Sequence, residues 1–249
     1  MNIVLHGCNG KMGHIITGLV RESAADRITA GVDRLTAGAF DYPVYASLKE
    51  VREPFDVVID FSTAAAVSTL LADCAELKKP LVLCTTGLSE EQQAEVSRAA
   101  LSIPLFFSAN MSLGMNLLIA LCRRAAHVLA PAGFDIEINE RHHRRKIDAP
   151  SGTALSIGKA LIDELGEEYY LSTDRCERRA PRDAHEIGMT AVRGGTIVGE
   201  HTVLFAGQDE LLEIRHTALS REIFGQGALQ AARFLNGKAP GLYDMNDML

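Results

Sequence analysis

Near its amino terminus the chain reads Ile3-Val4-Leu5-His6-Gly7-Cys8-Asn9-Gly10-Lys11-Met12-Gly13. A short apolar run rich in β-formers is followed at once by three glycines with GxxGxxG spacing, and a helical pattern then covers about 11–22. Glycines at a strand-to-helix turn allow a tight backbone, and they let a pyrophosphate approach N–H groups at the start of the helix. The stretch therefore predicts the first βαβ unit of a dinucleotide-binding fold.

The same alternation continues to about residue 110. The predicted strands are 3–5, 28–32, 57–59, 81–83 and 103–107, and the predicted helices are about 11–22, 63–77 and 89–101. The strands are almost continuously apolar, as expected for a parallel sheet covered by helices on both faces. This part of the chain predicts a Rossmann-type, doubly wound parallel sheet in the α/β class.

After residue 111 the pattern changes. Helical periodicity covers 114–130, 152–164 and 222–236, while alternating or β-rich runs cover 134–140, 187–192, 196–204 and 210–216. We expect antiparallel strands joined by hairpin turns at 193–195 and 206–209, and an exposed loop over 167–185. The predicted domains are a dinucleotide-binding domain, 1–111 with 221–249, and an α+β substrate-binding domain on a mixed or antiparallel sheet, 112–220.

Composition narrows the class of protein. The chain has 249 residues, 25 basic and 32 acidic, and a net charge of −7, which argues against a general nucleic-acid-binding surface. Its five cysteines form no CxxC pair, as is typical of a reduced intracellular protein. No signal peptide or membrane-spanning apolar run is visible, so a cytoplasmic protein without a membrane partner is expected.

Two residues at the end of the second predicted strand bear on the cofactor. Asp33 follows Gly13 by 20 positions, where a carboxylate accepts hydrogen bonds from a ribose hydroxyl. Arg34 offers a partner for a 2′-phosphate instead, so we expect the use of NADH, NADPH or both. The alternative is a glycine-rich turn followed by an ordinary solvated Asp-Arg pair.

Two further turns follow strands and should lie at the same edge of the sheet. They are Cys84-Thr85-Thr86-Gly87 and Ser108-Ala109-Asn110-Met111, whose hydroxyl and amide groups suit a carboxamide or a ribose. Turn chemistry without a ligand explains these residues equally well.

The most informative stretch is Glu140-Arg141-His142-His143-Arg144-Arg145-Lys146-Ile147-Asp148-Ala149-Pro150-Ser151-Gly152-Thr153. It concentrates four cations and two histidines in an acidic protein. Ser151 is a predicted helix N-cap, and the N–H groups of Gly152 and Thr153 in the first turn of that helix are suited to a ligand. A basic loop that leads into an exposed helix N-terminus predicts a receptor for a carboxylate.

The two histidines should point to opposite sides of an extended chain, which suits separate roles better than a shared metal. Histidine is the natural proton carrier near neutral pH, and Lys146 suits a developing negative charge or a substrate carboxylate. No metal-ligand spacing is present, so no metal site is expected. These residues predict a nicotinamide enzyme that acts on a small, strongly anionic substrate.

The sequence also resembles a known family, the dihydrodipicolinate reductases, nearly from end to end. The resemblance is carried by 7–13, 108–116, 193–195 with 197–202, and above all by the string from His142 to Thr153. That string is highly specific, whereas the glycine loop is shared by many dinucleotide-binding proteins.

The resemblance implies NAD(P)H-dependent reduction of 4-hydroxy-tetrahydrodipicolinate to tetrahydrodipicolinate, in diaminopimelate and lysine biosynthesis. It implies that His142 is the proton donor or acceptor, that Lys146 is a second proton donor, and that His143, Gly152 and Thr153 bind substrate. It also implies a homotetramer formed through the second domain. The implied cofactor contacts are Gly7, Cys8, Asn9, Gly10, Lys11, Met12, Asp33, Cys84, Thr85, Thr86, Ser108, Ala109, Asn110 and Met111.

Two positions depart from the family pattern. Cys84 stands where the family usually has glycine, and a side chain there is expected to crowd the nicotinamide or tilt its ring, which would change cofactor affinity or preference. Asp33 is shorter than the glutamate of some relatives, which changes its reach to the ribose.

Two alternative functions share the glycine loop. One is another two-domain NAD(P)-dependent oxidoreductase acting on an aspartate-like amino or keto acid, which leaves the basic string unexplained. The other is a non-catalytic dinucleotide-binding sensor, which predicts cofactor binding without turnover.

Overall fold

The computed structural model of the chain describes residues 1–37, 40–173, 175 and 178–249. The chain forms two compact units: unit 1 comprises Met1–Leu113 and Arg221–Leu249, and unit 2 comprises Gly114–Ser220. Cys176 lies outside the described residues, and the other four cysteines are free and buried.

The first elements in chain order are β1 (Asn2–His6), α1 (Lys11–Arg21), β2 (Arg27–Val32), β3 (Val44–Tyr45), β4 (Val57–Asp60), α2 (Ala64–Leu77), β5 (Leu81–Leu83), α3 (Glu90–Ala99) and β6 (Pro104–Phe107). The remainder are α4 (Leu113–Leu129), β7 (Asp135–His142), α5 (Gly152–Leu165), β8 (Tyr170–Ser172), β9 (Glu186–Arg193), β10 (Gly199–Ala206), β11 (Leu211–Ala218), α6 (Glu222–Leu235) and β12 (Gly241–Tyr243). Short 3-10 turns cover Leu48–Glu50 and Met245–Met248.

Unit 1 is built on a seven-stranded sheet with the order β12-β6-β5-β4-β1-β2-β3, and its pairs are all parallel. The chain runs outward from β1 through β2 to β3, then returns to place β4 on the other side of β1. The strand order therefore reverses between β1 and β4, which is the switch point of a doubly wound sheet. This confirms the predicted Rossmann-type fold.

Two apolar clusters cover the two faces of this sheet. Ile3 and Leu5 pack on one face with Ile16 of α1 and with α6, while Val4 packs on the other face with residues of α2 and α3. Successive side chains of a strand point to opposite faces, so a fully apolar strand needs helices on both. Pro104 stands at the first position of β6, as expected for a residue that lacks an N–H donor.

Helix α6 packs very closely against the segment before α4. A Cβ at Gly227 would lie 1.7 Å from the backbone oxygen of Met111, a distance that no side chain tolerates. Glycine is therefore required where α6 contacts this segment, and the contact fixes the second part of unit 1 onto the first.

Unit 2 contains a five-stranded mixed sheet with the order β11-β10-β7-β9-β8. β7 and β8 both pair parallel with β9, whereas β10 is antiparallel to β7 and to β11. Ile136 and Ile138 of β7 pack with residues of α4 and α5 in a third cluster. The central strand thus has one apolar face beneath helices.

The predicted hairpin at 193–195 is wrong. β9 and β10 do not pair, because β7 lies between them. Instead, the Gly194 N–H donates to the His142 carbonyl (2.9 Å) and the Arg144 N–H donates to the Gly195 carbonyl (3.2 Å). The second predicted turn, 206–209, does join the antiparallel pair β10–β11.

Some short strands were not predicted. The region 167–185 was expected to be a loop, but it contains β8, which pairs with β9. β3 and β12, of two and three residues, were also missed. Strands this short carry no measurable periodicity, and pairing with a neighbour decides their conformation.

We expect Gly227→Ala to lower the free energy of unfolding by about 2–4 kcal/mol, because the added methyl overlaps backbone that cannot move freely. Urea denaturation of the full chain measures the change. Gly18→Ala is the matched control, since Gly18 lies exposed in α1 with no atom within 4 Å of its added Cβ. That control should be neutral or stabilising by up to about 1 kcal/mol, and an equal loss in both variants would contradict the contact argument.

Candidate functional site

The glycine loop connects β1 to α1 in unit 1. Gly7 has φ of +80°, and a Cβ there would lie 2.7 Å from the Phe61 carbonyl oxygen. A Cβ at Gly13 would lie 2.2 Å from the Cys8 carbonyl oxygen, so this glycine allows α1 to pack on the loop. Both positions require glycine on geometric grounds, beyond the turn that the sequence predicts.

The N-terminus of α1 is suited to an anion. Its N-cap is Gly10, no side chain caps the helix, and its first turn carries no acidic residue. Gly10 and Lys11 are exposed, and Asn9 and Met12 are half-buried. The partial positive charge of the helix start is therefore available to a phosphate. Cys8 is different, because the residue is fully buried and belongs to the core cluster.

Asp33 is connected to the glycine loop. One of its carboxylate oxygens accepts the Asn9 N–H (3.1 Å), and the other accepts the Leu35 N–H (3.3 Å). The Asn9 amide in turn donates to the Leu35 carbonyl (2.7 Å). Asp33 is half-buried and Arg34 is exposed. The structure thus places a carboxylate and a cation together beside the loop, at the end of β2.

In the turn after β5, only one of the side chains predicted to contact the cofactor is exposed. The Cys84 side chain is 6% exposed and packs within the core cluster, where burial and then Asp60 raise the pKa of its thiol well above the usual value. The buried Thr85 hydroxyl donates to Asp60 (2.6 Å). Thr86 is exposed. Thr86 alone in this turn therefore directs its side chain to solvent, and the thiol that was expected to crowd a nicotinamide lies in the core.

The turn after β6 is held by its own hydrogen bonds. The Ser108 hydroxyl donates to the Asn110 carbonyl (2.8 Å), and the Asn110 side-chain oxygen accepts the Ser112 N–H (2.9 Å). Ala109 is exposed, whereas the Met111 side chain is 2% exposed and belongs to the core. Cys8, Cys84 and Met111 therefore offer no side chain to a ligand.

In unit 2 a buried carboxylate organises the end of β7. Glu140 is fully buried, and the guanidinium of Arg193 donates to both of its oxygens (2.7 and 2.8 Å). The Ser151 N–H donates to Oε1 (2.9 Å), and His142 Nδ1 lies 2.6 Å from Oε2. Although burial raises the pKa of Glu140, these hydrogen bonds outweigh it and hold the pKa below its usual value.

Glu140 sets the tautomer of His142. An ionised carboxylate only accepts, so Nδ1 carries the hydrogen and Nε2 is the atom left for proton transfer. Burial lowers the pKa of His142, and Glu140 opposes that shift. A Cβ at Gly199 would lie 3.0 Å from Nε2, so glycine there leaves room around this nitrogen. The resting imidazole is therefore neutral near pH 7, with the basic lone pair on Nε2.

His143 and Lys146 lie beyond the strand end. His143 is half-buried, and its buried Nδ1 has no hydrogen-bond partner among the described residues. Lys146 Nζ forms an ion pair with Asp148 Oδ1 (2.9 Å). The lysine, followed by smaller contributions including the Gly152 N–H, lowers the pKa of Asp148. An exposed carboxylate of the chain itself thus occupies two of the predicted anion donors.

Helix α5 begins where the sequence predicts. The Ser151 hydroxyl accepts the Ala154 N–H (3.1 Å), which makes Ser151 the N-cap. Gly152 is exposed, Thr153 is half-buried, and the first turn carries no acidic residue. Glu140, His142, Ser151 and Arg193 are thereby brought into one cluster, with Lys146, Asp148 and Gly152 linked beside it.

Sequence reasoning missed three members of this cluster: Glu140 as the partner of His142, Arg193 as the cation on Glu140, and His201. His201 is 4% exposed, its Nε2 lies 3.1 Å from the Ser151 hydroxyl, and its ring contacts that of His142 edge-on (centroids 5.1 Å apart). Burial, and then the proximity of His142, lower the pKa of His201 to about 4. The feature of the sequence that indicates a buried Glu140 is the alternating pattern of β7. This pattern places Glu140 on the same face as Ile136 and Ile138.

No group of three or more metal-ligating side chains occurs among the described residues. Over the same residues, none of the helices is both long enough and apolar enough to cross a bilayer.

A Rossmann-type sheet with a glycine loop, joined in one chain to a mixed-sheet unit with a carboxylate–histidine pair, is an architecture of nicotinamide-dependent oxidoreductases. Residues 1–111 match the model of the dihydrodipicolinate reductase N-terminus, and residues 114–249 match that of the C-terminus. The chain belongs to the dihydrodipicolinate reductase family.

Individual relatives agree with this assignment. The chain is 52% identical to the 4-hydroxy-tetrahydrodipicolinate reductase of Caldanaerobacter subterraneus subsp. tengcongensis, covering 100% of this chain and 98% of that protein. It is 44% identical to the enzyme of the same name from Clostridium tetani, covering 100% and 97%. The fold matches a dipicolinate-bound dihydrodipicolinate reductase from Paenisporosarcina sp. TG-14 (TM-score 0.83, 22% identity, covering 100% and 99%).

The buried imidazole makes stability depend on pH. A histidine whose pKa is lower in the folded than in the unfolded chain stabilises the fold above the unfolded value, and that stability is lost as the pH falls. For His201 the window runs from about pH 6.5 to about pH 4, over which about 3 kcal/mol should be lost. His142 and Glu140, whose pKa values are also lowered, act in the same direction.

We expect His201→Gln to flatten this pH dependence, as measured by urea denaturation at pH 7 and pH 5. His127→Gln, at an exposed position in α4 of the same unit, is the control for removing an imidazole. If both variants lose stability as steeply as the wild type between these pH values, the buried His201 is not the cause.

Proposed function

We propose that this chain catalyses the NAD(P)H-dependent reduction of 4-hydroxy-tetrahydrodipicolinate to tetrahydrodipicolinate, in diaminopimelate and lysine biosynthesis. The observation that carries the proposal is the Glu140–His142 pair beside Lys146 and the N-terminus of α5, in a chain that is 52% identical over its whole length to a reductase of that name. The pair provides a proton-transfer group, and the basic groups suit a small dianion.

The residues of unit 1 fit a dinucleotide. The uncapped start of α1 would hold the pyrophosphate, and Asp33 would accept the hydroxyls of the adenosine ribose, with exposed Arg34 beside it for a 2′-phosphate. Thr86 and the turn 108–111 would contact the nicotinamide half. The cofactor is NADH, NADPH or both, and its reduced nicotinamide supplies the hydride.

Substrate binding is assigned to unit 2. Lys146 and the Gly152 N–H already hold a carboxylate, that of Asp148, and we infer that a substrate carboxylate takes its place. Thr153 contributes the next N–H of the helix start. The buried Nδ1 of His143, which has no hydrogen-bond partner in the part of the chain that the structure describes, is a further hydrogen-bonding atom for the substrate.

His142 supplies the proton. Its Nδ1–H is fixed by Glu140, so Nε2 is the atom that binds and releases a proton. In the free protein burial disfavours the imidazolium, but a bound dianion favours it and raises the pKa. Loss of water from the substrate gives a conjugated imine; hydride and one proton then reduce it. Lys146 stabilises negative charge on the ring, and its ammonium group is the second donor able to provide that one proton.

The assembly and location are part of the same proposal. We infer a cytoplasmic homotetramer formed through the sheet of the second domain, with 112–220 as the substrate-binding domain and 1–111 with 221–249 as the dinucleotide-binding domain. Val192, Leu211 and Leu212 of that sheet are 42–68% exposed, which supports an interface there. Light scattering at the elution peak of a size-exclusion column would measure the mass.

We expect His142→Ala to lower kcat by about 10²-fold or more while cofactor affinity is retained, because the proton donor is lost and unit 1 is untouched. The substrate would be generated from pyruvate and aspartate semialdehyde by the preceding synthase, and the absorbance of each reduced nicotinamide followed. In the wild type, the apparent pKa from kcat should exceed that from kcat/KM. Unchanged turnover would refute the assigned role, and oxidation of neither cofactor by the wild type would refute the function.

Lys146 and Asp148 give a pair of opposite predictions. Lys146→Met should raise the substrate KM about tenfold or more, since a charge-assisted hydrogen bond is lost. Asp148→Asn should lower the KM or leave it unchanged, because it weakens the internal competitor for the same donors. Initial rates at varied substrate concentration measure both, and a KM raised equally by the two variants would show that the ion pair only maintains the loop.

A further inference from the structure

A buried hydrogen-bonded network lies at the carboxyl edge of the sheet in unit 1. Asp60, the last residue of β4, is fully buried. Its Oδ1 lies 2.6 Å from His6 Nδ1 and accepts the Ser62 N–H (3.2 Å), while its Oδ2 accepts the Thr85 hydroxyl (2.6 Å). None of these contacts is explained by the proton transfer assigned to unit 2.

The network joins three neighbouring parallel strands. His6 ends β1 and is paired in register with Asp60 of β4, and Thr85 follows β5 by two residues. Val4 and Val58, two residues earlier in their strands, lie in the same core cluster. The polar side chains therefore form the last layer of that face, where the apolar core ends and the ligand edge begins.

Complete burial of a carboxylate destabilises the folded state unless its oxygens are fully hydrogen-bonded. An apolar side chain in its place would stabilise the fold as well or better. Each partner of Asp60 belongs to a segment that forms the ligand edge. His6 directly precedes Gly7, Ser62 follows the Phe61 carbonyl that lies against Gly7, and Thr85 is in the turn 84–86. Asp60 thus links the glycine loop to that turn.

The position in the topology indicates which half of the cofactor is concerned. His6 and Asp60 stand on either side of the switch point between β1 and β4, where a dinucleotide crosses the sheet. Asp33, which suits the adenosine ribose, follows β2 on one side of that point. The nicotinamide half would therefore lie toward β4 and β5, above Asp60 and Thr85.

We propose that the His6–Asp60–Thr85 network positions the turn 84–86 for the nicotinamide half of the cofactor; this rests on the proposed function. Asp60 is a positioning residue, since a fully buried side chain cannot touch the ligand. Thr85 donates a hydrogen bond from its hydroxyl to Asp60, which holds this residue of the turn in place.

The first test is Asp60→Asn in the full chain, with binding measured by isothermal titration calorimetry. NADH is compared with ADP-ribose, which lacks the nicotinamide. We expect the Kd for NADH to rise about 5- to 10-fold and the Kd for ADP-ribose to change less than about 2-fold. In steady-state assays, the KM for NADH should rise while the KM for the substrate is retained.

Asp26→Asn is the matched control. Asp26 is also buried in unit 1, but it precedes β2 at the amino edge of the sheet and pairs with Arg233. This variant should lose stability without changing either Kd. The comparison with Asp60→Asn therefore distinguishes the effect of losing a buried charge from the effect of losing the position of the turn 84–86.

If Asp60→Asn fails to fold, a pair of Thr85 variants tests the same proposal. Thr85→Val should weaken NADH but not ADP-ribose binding, and Thr85→Ser, which keeps the hydroxyl, should restore it. Tyr42→Phe is the control, because Tyr42 is also buried in unit 1 and loses a hydroxyl bonded to Thr17 (2.8 Å) without a change in the glycine loop.

Two results would overturn the proposal: wild-type affinity for NADH in Asp60→Asn and Thr85→Val, or equal weakening of NADH and ADP-ribose. A wild-type protein that binds NADH without reducing the substrate would contradict the proposed function alone. Selective loss of NADH affinity, rescued by serine, supports the network.

Discussion

The buried charge of Glu140 is the constraint on which unit 2 depends. A carboxylate removed from water needs a donor for every lone pair, and here the Arg193 fork, the Ser151 N–H and the His142 imidazole provide them. These donors come from β9, the start of α5 and β7 itself. Their convergence fixes where α5 begins and which nitrogen of His142 is free. The same interaction therefore secures the fold and prepares the chemistry.

Unit 1 also contains a buried carboxylate that requires hydrogen-bond donors, at the end of its central strand β4. Asp60 has no exposure, and its hydrogen bonds join the segments that follow β1, β4 and β5. In both units the buried acid is at the carboxyl end of a central strand, above an apolar layer. Loops that follow such strands gain a fixed anchor in an otherwise solvent-exposed edge.

Charge in this protein is organised locally rather than globally. The chain as a whole is acidic, with a net charge of −7, and yet the basic and N–H groups of unit 2 are concentrated where β7 ends and α5 begins. The Asp148 carboxylate on Lys146 demonstrates that this place holds a carboxylate. The local attraction of a carboxylate to specific N–H groups and one lysine therefore outweighs its long-range repulsion by the net negative charge of the chain.

The sequence by itself determined the doubly wound sheet, the glycine loop, the N-cap at Ser151 and the family, because periodicity, glycine spacing and a specific motif are local properties. Only the tertiary structure decided that β7 separates β9 from β10, that Cys84 lies in the core, and that Glu140 and Asp60 organise their neighbours. Arg193 and Glu140 are 53 positions apart, and Asp60 and His6 are 54 apart. Such pairs form only when strands distant in sequence are brought side by side, and no local pattern records which strands those are.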